Sequence, residues 1–228
     1  MAREDPFIVR HASWPAVGES GAERAVMNRL GSLIVTDFVD QLVLAGRAYH
    51  MQIGTETAPV NSTAAVDDQL VWMLVDNNAG YAMIPLAYEV APEFVDTGVY
   101  GEAYLELDKD KKRYSSGGTA YTASNLRGDD PFSHNGVSYV GTDITALAKS
   151  AVPNTLELSR RLVNEDVVTD PTTGKFMRDT TVYSIRSRPM AVGVDVSSLC
   201  CHFGATTADL NGFGLVQWAQ VEKALITP

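Results

Sequence analysis

The residues of this chain whose types could carry chemistry are four histidines, two adjacent cysteines and one short charged run. His11, His50, His134 and His202 show neither the i, i+4 spacing of a helical zinc motif nor a His-x-His pair on one strand. Only a three-ligand site gathered from distant strands is left open. Cys200, Cys201 and His202 read as a soft-metal cluster on paper, but successive residues of a strand point to opposite faces. Buried thiols acting as small hydrophobes are the simpler expectation. Asp108 and Asp110 alternate like calcium ligands, yet "DKDKKR" surrounds them with cations that oppose a second positive charge. A solvated hairpin tip is expected there. "TDPTTGKF" ends in Gly174-Lys175 like a phosphate loop, but Thr169 stands where the first glycine would be. Arg127-Gly128-Asp129 spells an adhesion tripeptide that any polar turn can produce, and Asn61-Ser62-Thr63 is a glycosylation sequon only in a secreted chain. With no nucleophile elbow or dinucleotide fingerprint, the expectation is a non-enzyme with no catalytic residue, no metal, no cofactor and no small-molecule substrate.

The elements that would position such residues are mostly strands. "SGAERAVMNRL", Ser20 to Leu30, predicts one short helix: Ser20 can cap it, Glu23 follows three residues later, and Ala22, Val26 and Leu30 share a face. From Leu33 onward β-branched and aromatic runs alternate with turn residues. "LIVTDFV", "QLVLAGRAYHMQIG" and "QLVWMLVD" read as strands. "YAMIPLAYEVAPEFVD" puts Ile84, Leu86, Tyr88 and Val90 on one face. Pro85 and Pro92 cannot donate to a ladder, so that strand is expected at an edge or with a bulge. "VYGEAYLELD", "GVSYVGTDI", "NTLELSRRLV", "TTVYSIRS", "PMAVGVDVSS" and "FGLVQWAQVEKALI" follow. "TALAKSA" predicts a turn of helix, "TDPTTGKFM" a hairpin connection, and the pairs Asn135-Gly136 and Asn211-Gly212 tight turns. The expected fold is all-β: a single jelly-roll or Greek-key β-barrel of about eight to ten strands. Residues 1–32 are expected to form an N-terminal arm with the short helix, and residues 33–228 the barrel domain.

Composition sets limits on partners. The 228 residues are 45% hydrophobic and 20% charged, a globular balance. A formal net charge of −10 repels phosphate backbones, so no direct nucleic-acid partner is expected. The N-terminus shows no secretory h-region and no apolar run nears the roughly 20 residues of a membrane span. Synthesis in the cytoplasm is expected. Two neighbouring cysteines make no disulfide framework.

One stretch fits none of these elements. "YSSGGTAYTASNLRGDDPF", Tyr114 to Phe132, is long, polar and glycine-dotted in the middle of a strand-rich chain. A loop of that length is an interface or a mobile excursion. Together with "MQIGTETAPV", "MIPLAYEVAPEF" and the late "LVQWAQVEK", in that order on an acidic chain, it resembles the vertical single β-barrel major capsid proteins of tailless icosahedral viruses with internal membranes. The resemblance covers roughly Gln52 to Lys223. It implies a single jelly roll in the virion that pairs with itself or with a second capsid protein over a viral membrane or membrane proteins. No catalytic residue is implied. Contacts with neighbours would fall on Thr55, Glu56, Tyr114, Tyr121, Asn125, Arg127 and Trp218. The rival readings are a carbohydrate- or receptor-binding jelly roll, a cupin-like metalloenzyme and a minor virion component.

Overall fold

The chain is described by a computed structural model covering residues 8–9, 23–24, 37–62, 69–94, 100–129, 132–164, 180–188, 190–205 and 210–226. A two-residue pair joins β1 (Ile8–Val9) to β2 (Glu23–Arg24). Glu23 and Arg24 are therefore extended, not helical as predicted. The rest of the predicted Ser20 to Leu30 helix lies outside the described residues, as does the "TDPTTGKFM" connection.

The α-helix that does form, α1 (Phe38–Leu44), takes the end of "LIVTDFV" and the first four residues of "QLVLAGRAYHMQIG", both predicted as strands. Capping chemistry decides it. The Asp37 carboxylate accepts from Val39 N at 2.9 Å, and Asp40 adds an acid to the first turn. At the other end Gly46 takes φ 67°. Gly46 N then reaches Val43 O and Arg47 N reaches Leu42 O, both at 2.9 Å, the two bonds of a Schellman stop.

The remaining elements build two antiparallel sheets. The first takes β3 (Ala48–Ile53), β4 (Val60–Asn61), β6 (Tyr81–Phe94), β10 (Ser124–Asn125), β13 (Thr180–Ser184), β14 (Gly193–Val194) and β16 (Leu210–Glu222). Its order is β10-β3-β16-β6-β13, with β4 also on β16 and β14 also on β6. The second takes β5 (Leu70–Asn77), β7 (Tyr100–Asp108), β8 (Tyr114–Ser116), β9 (Thr119–Ala120), β11 (Gly136–Ala146), β12 (Thr155–Asn164) and β15 (Ser197–Ala205). It runs β12-β7-β15-β5-β11-β8, with β9 also on β11. The all-β expectation holds, and the long strands are about as numerous as predicted. The sheets stay open and do not close into a barrel. The predicted helical turn in "TALAKSA" does not form, because Thr145 and Ala146 end β11 and 147–151 are irregular.

The pairing is nested. β3 pairs with β16, β5 with β15, β6 with β13 and β7 with β12, so early strands always meet late ones. β11 and its short neighbours are inserted at the innermost turn of that nest. The facing sides of the sheets bury one large core that includes Met51, Trp72, Tyr88, Leu105, Phe203 and Trp218. Space for two of its rings comes from glycine: a Cβ on Gly214 would lie 2.6 Å from Trp72, and one on Gly212 3.1 Å from Phe203. Asn211-Gly212 is thus inside β16 and not a turn, and Gly136 opens β11 without a positive φ.

β6 is interior to its sheet, so Pro85 and Pro92 do not mark an edge. The predicted alternative does occur: opposite Gln217 and Trp218 the register slips past Leu86, a bulge beside Pro85. The extra residue changes the side-chain parity. Tyr88 and Val90 enter the inter-sheet core, whereas Ile84 and Leu86 pack on the outer face with α1. The four do not share one face.

Candidate functional site

The polar stretch after Tyr114 is built into the sandwich. β8 and β9 pair with β11 on one sheet, and β10 pairs with β3 on the other. The segment is therefore a strap that crosses from sheet to sheet at one edge. Gly117 and Gly118, at φ 76° and 68°, turn it, and Gly118 N donates to Asp143 Oδ1 at 2.9 Å. Tyr121 N donates to Ser138 O at 2.8 Å and Leu126 N to Ala48 O at 2.9 Å. Tyr121 and Ala123 pack on the main core, while Ser115, Ser116, Thr119, Ala120 and Thr122 stay exposed.

The structure does not bring all the sequence-derived interface residues together. Tyr114 stacks on Tyr139 with ring centroids 3.6 Å apart, and its hydroxyl donates to Gly117 O. Asn125 Nδ2 donates to Gly46 O at 2.8 Å and to Phe132 O at 3.1 Å. Arg127 is exposed, donates to Leu44 O at 3.0 Å and pairs with Asp129 at 2.9 Å. The adhesion tripeptide thus closes on itself. Thr55 and Glu56 are exposed on a tight turn where Thr55 bridges Ala58, beyond the opposite end of β3. Trp218 is 0% exposed. It is a core residue stacked near Tyr49 and has no surface to offer a neighbour.

Sequence reasoning missed a buried charged network on the outer side of the second sheet. Arg113 is 0% exposed and donates to Glu106 Oε2 at 2.7 Å and to Leu147 O at 3.0 Å. The Asp76 carboxylate accepts from Arg113 N at 3.0 Å, from Tyr114 N at 3.2 Å and from the Ser198 hydroxyl. Asp108, predicted to be at a solvated tip, is buried and accepts from Ser150 N at 2.9 Å and Thr155 Oγ1 at 3.3 Å. Only Asp110 is exposed. These bonds staple the start of the strap to β5, β7 and β15. Burial alone would raise the Glu106 pKa, but His202 and Arg113 facing it outweigh burial and hold it at about 2. At Asp76 burial wins over its donors and the pKa is raised. Beside the network, His202 gives its Nδ1 proton to Leu70 O at 2.9 Å and stacks on Tyr104, over which Arg160 sits at 4.2 Å.

No family model, curated protein or solved structure matches the chain.

Among the described residues no three His, Cys, Asp or Glu side chains are grouped to hold a metal ion, and no helix is long and apolar enough to cross a membrane. Cys201 faces the inter-sheet core and Cys200 the outer cluster, as strand alternation predicts. Burial pushes the Cys200 thiol up to about 12 and raises the Cys201 thiol well above its ordinary value, so neither is a thiolate near neutral pH.

His134 lies beneath the strap, edge-on to Trp218 at 5.2 Å and to Tyr49 at 5.6 Å. Burial pushes its pKa from 6.5 down to about 4. The unfolded chain therefore takes up this proton first, and the stability due to neutral His134, present above about pH 6.5, is lost as pH falls toward 4. That contribution is on the order of 2 kcal/mol. Urea unfolding of wild type and His134→Gln at pH 7 and pH 4.5 checks it. The difference between the two proteins should shrink at the lower pH, and a constant difference contradicts the assignment.

Proposed function

We propose that the chain is a structural subunit of a virion, a jelly roll that assembles with copies of itself or with a second shell protein into an icosahedral capsid over an internal membrane. The observation that carries this reading is the nested strand order. With β3, β5, β6, β7, β12, β13, β15 and β16 counted first to eighth, the first pairs with the eighth, the second with the seventh, the third with the sixth and the fourth with the fifth. A long hairpin rolled over itself has that order, and shells, lectins and cupins all use it. The fold by itself does not select among them. The strap favours the shell: a subunit that must meet several neighbours needs ordered polar loops that keep the free chain soluble. The net charge of −10 agrees with a shell held away from its genome.

The test is sedimentation. A producing culture is fractionated on a density gradient and the chain quantified by mass spectrometry in each fraction. Hundreds of copies moving with DNA and lipid at one particle density support the proposal; a chain that stays at the top as a small species overturns it. A point variant localises the contact. Arg127→Glu removes only exposed partners and costs at most about 1 kcal/mol of stability. If the strap meets a neighbour there, particle yield falls at least about tenfold while circular dichroism is unchanged. Normal yield would remove Arg127 from the interface.

A further inference from the structure

Between the strap and β11 lies a cleft of about 260 Å³. Tyr121, Thr122 and Ala123 make its strap wall, and His134, Ser138 and Tyr139 stand on the other side. Ser138 is only 4% exposed, yet its hydroxyl has no hydrogen-bond partner among the described residues. His134 Nε2, also buried, has none either. Buried polar atoms are nearly always satisfied, so two orphans on residues lining one cleft mark a place where another molecule completes the bonding.

We propose that this cleft binds one neutral, hydroxyl-rich ring: a single sugar residue of a glycan. Among the described residues no Asp, Glu, Lys or Arg lines it, so a charged ligand would lose water and gain no counter-charge from them. The lining offers hydroxyl, imidazole and backbone groups, which exchange hydrogen bonds with sugar hydroxyls in either direction. His134 is kept neutral by burial at physiological pH, so its free nitrogen accepts from a hydroxyl without presenting a charge. Tyr121 and Ala123 on the strap wall supply apolar surface for the C–H face of such a ring. The volume suits one ring, with the rest of a glycan left in solvent. The site belongs to the folded chain and would work on a shell surface or on a free binding module alike, so its fate is independent of the sedimentation result.

The experiment is saturation-transfer difference NMR on the full chain with the methyl glycosides of glucose, galactose, mannose and N-acetylglucosamine. Free sialic acid serves as the charged control. A single ring in a small cleft should bind with a Kd on the order of millimolar. Transfer to at least one neutral glycoside is expected, weakened about tenfold in Ser138→Val, which removes the orphan hydroxyl without breaking an internal bond. Thr122→Trp, on an exposed position at the cleft wall, should abolish it by filling the space, and thermal melts establish that each variant is folded. The proposal fails if no neutral glycoside receives transfer, if sialic acid binds better than all of them, or if transfer survives unchanged in both variants.

Discussion

Gly117→Ala is expected to lower the unfolding free energy by about 3 kcal/mol or more and to loosen the strap from β11. Two penalties add at this position. The backbone sits at φ 76°, where a Cβ costs roughly 1–2 kcal/mol. The new methyl would also lie 2.0 Å from the Asp143 carbonyl oxygen, a backbone atom of β11 that can yield only if the pairing yields. Gly80→Ala separates the two penalties. It has φ 86° but nothing within 4 Å of the added carbon, so it should cost only the backbone part. Urea unfolding of both variants measures the difference. Hydrogen exchange at Tyr121 N and Leu126 N, whose acceptors lie on opposite sheets, should then reveal faster opening in Gly117→Ala alone. Equal losses in the two glycine variants would mean that the strap is not clamped at Gly117.

The sheet content was legible because alternation and β-branched runs report half-buried strands directly, and β5, β7 and β12 match the runs that predict them to within one residue at each end. Three misreadings have physical causes. Where "LIVTDFV" passes into "QLVLAGRAYHMQIG" the apolar runs read as strands, yet Asp37 and Gly46 bracket a helix by hydrogen bonds that propensity does not count. In β6 the residues were right but the parity was not, since the bulge at Leu86 inserts one residue and moves Ile84 to the other face. Trp218 is a contact residue only by the resemblance of "LVQWAQVEK". In β16, however, it alternates with Gly212, Gly214 and Val216 on the inward side. The strap was visible as a polar stretch of unusual length, but nothing local reveals that β8, β9 and β10 pair with partners on two different sheets. The candidate cleft was less legible still, because His134 and Ser138 become neighbours of Tyr121 only through that pairing.

The buried ion pair yields the other large effect. Arg113→Met is expected to destabilise the protein by about 3–5 kcal/mol, because Glu106 loses its buried guanidinium and keeps only the half-exposed Lys149 at 3.5 Å and His202 at 3.6 Å. Glu106→Gln alone leaves the Arg113 guanidinium in the same position and should cost a similar amount. The double variant removes both charges and should recover most of the loss, giving a coupling energy of a few kcal/mol in the cycle. Acidity supplies an independent check on the sign. The Glu106 pKa is lowered from 4.5 to about 2 in the folded chain, so its stabilisation is present above about pH 4.5 and is lost as pH falls toward 2. Asp76 is shifted the other way, so folding with its carboxylate ionised is costly and protonation relieves part of that cost as pH falls. Wild-type acid unfolding combines these opposed effects with the loss at His134, and the difference between wild type and Glu106→Gln isolates what Glu106 contributes through His202, Arg113 and Lys149. That difference should diminish below about pH 4. If it stays constant from pH 7 to pH 3, the pair is not what fastens the base of the strap, and the Asp76 bonds to Arg113 N and Tyr114 N must hold it instead.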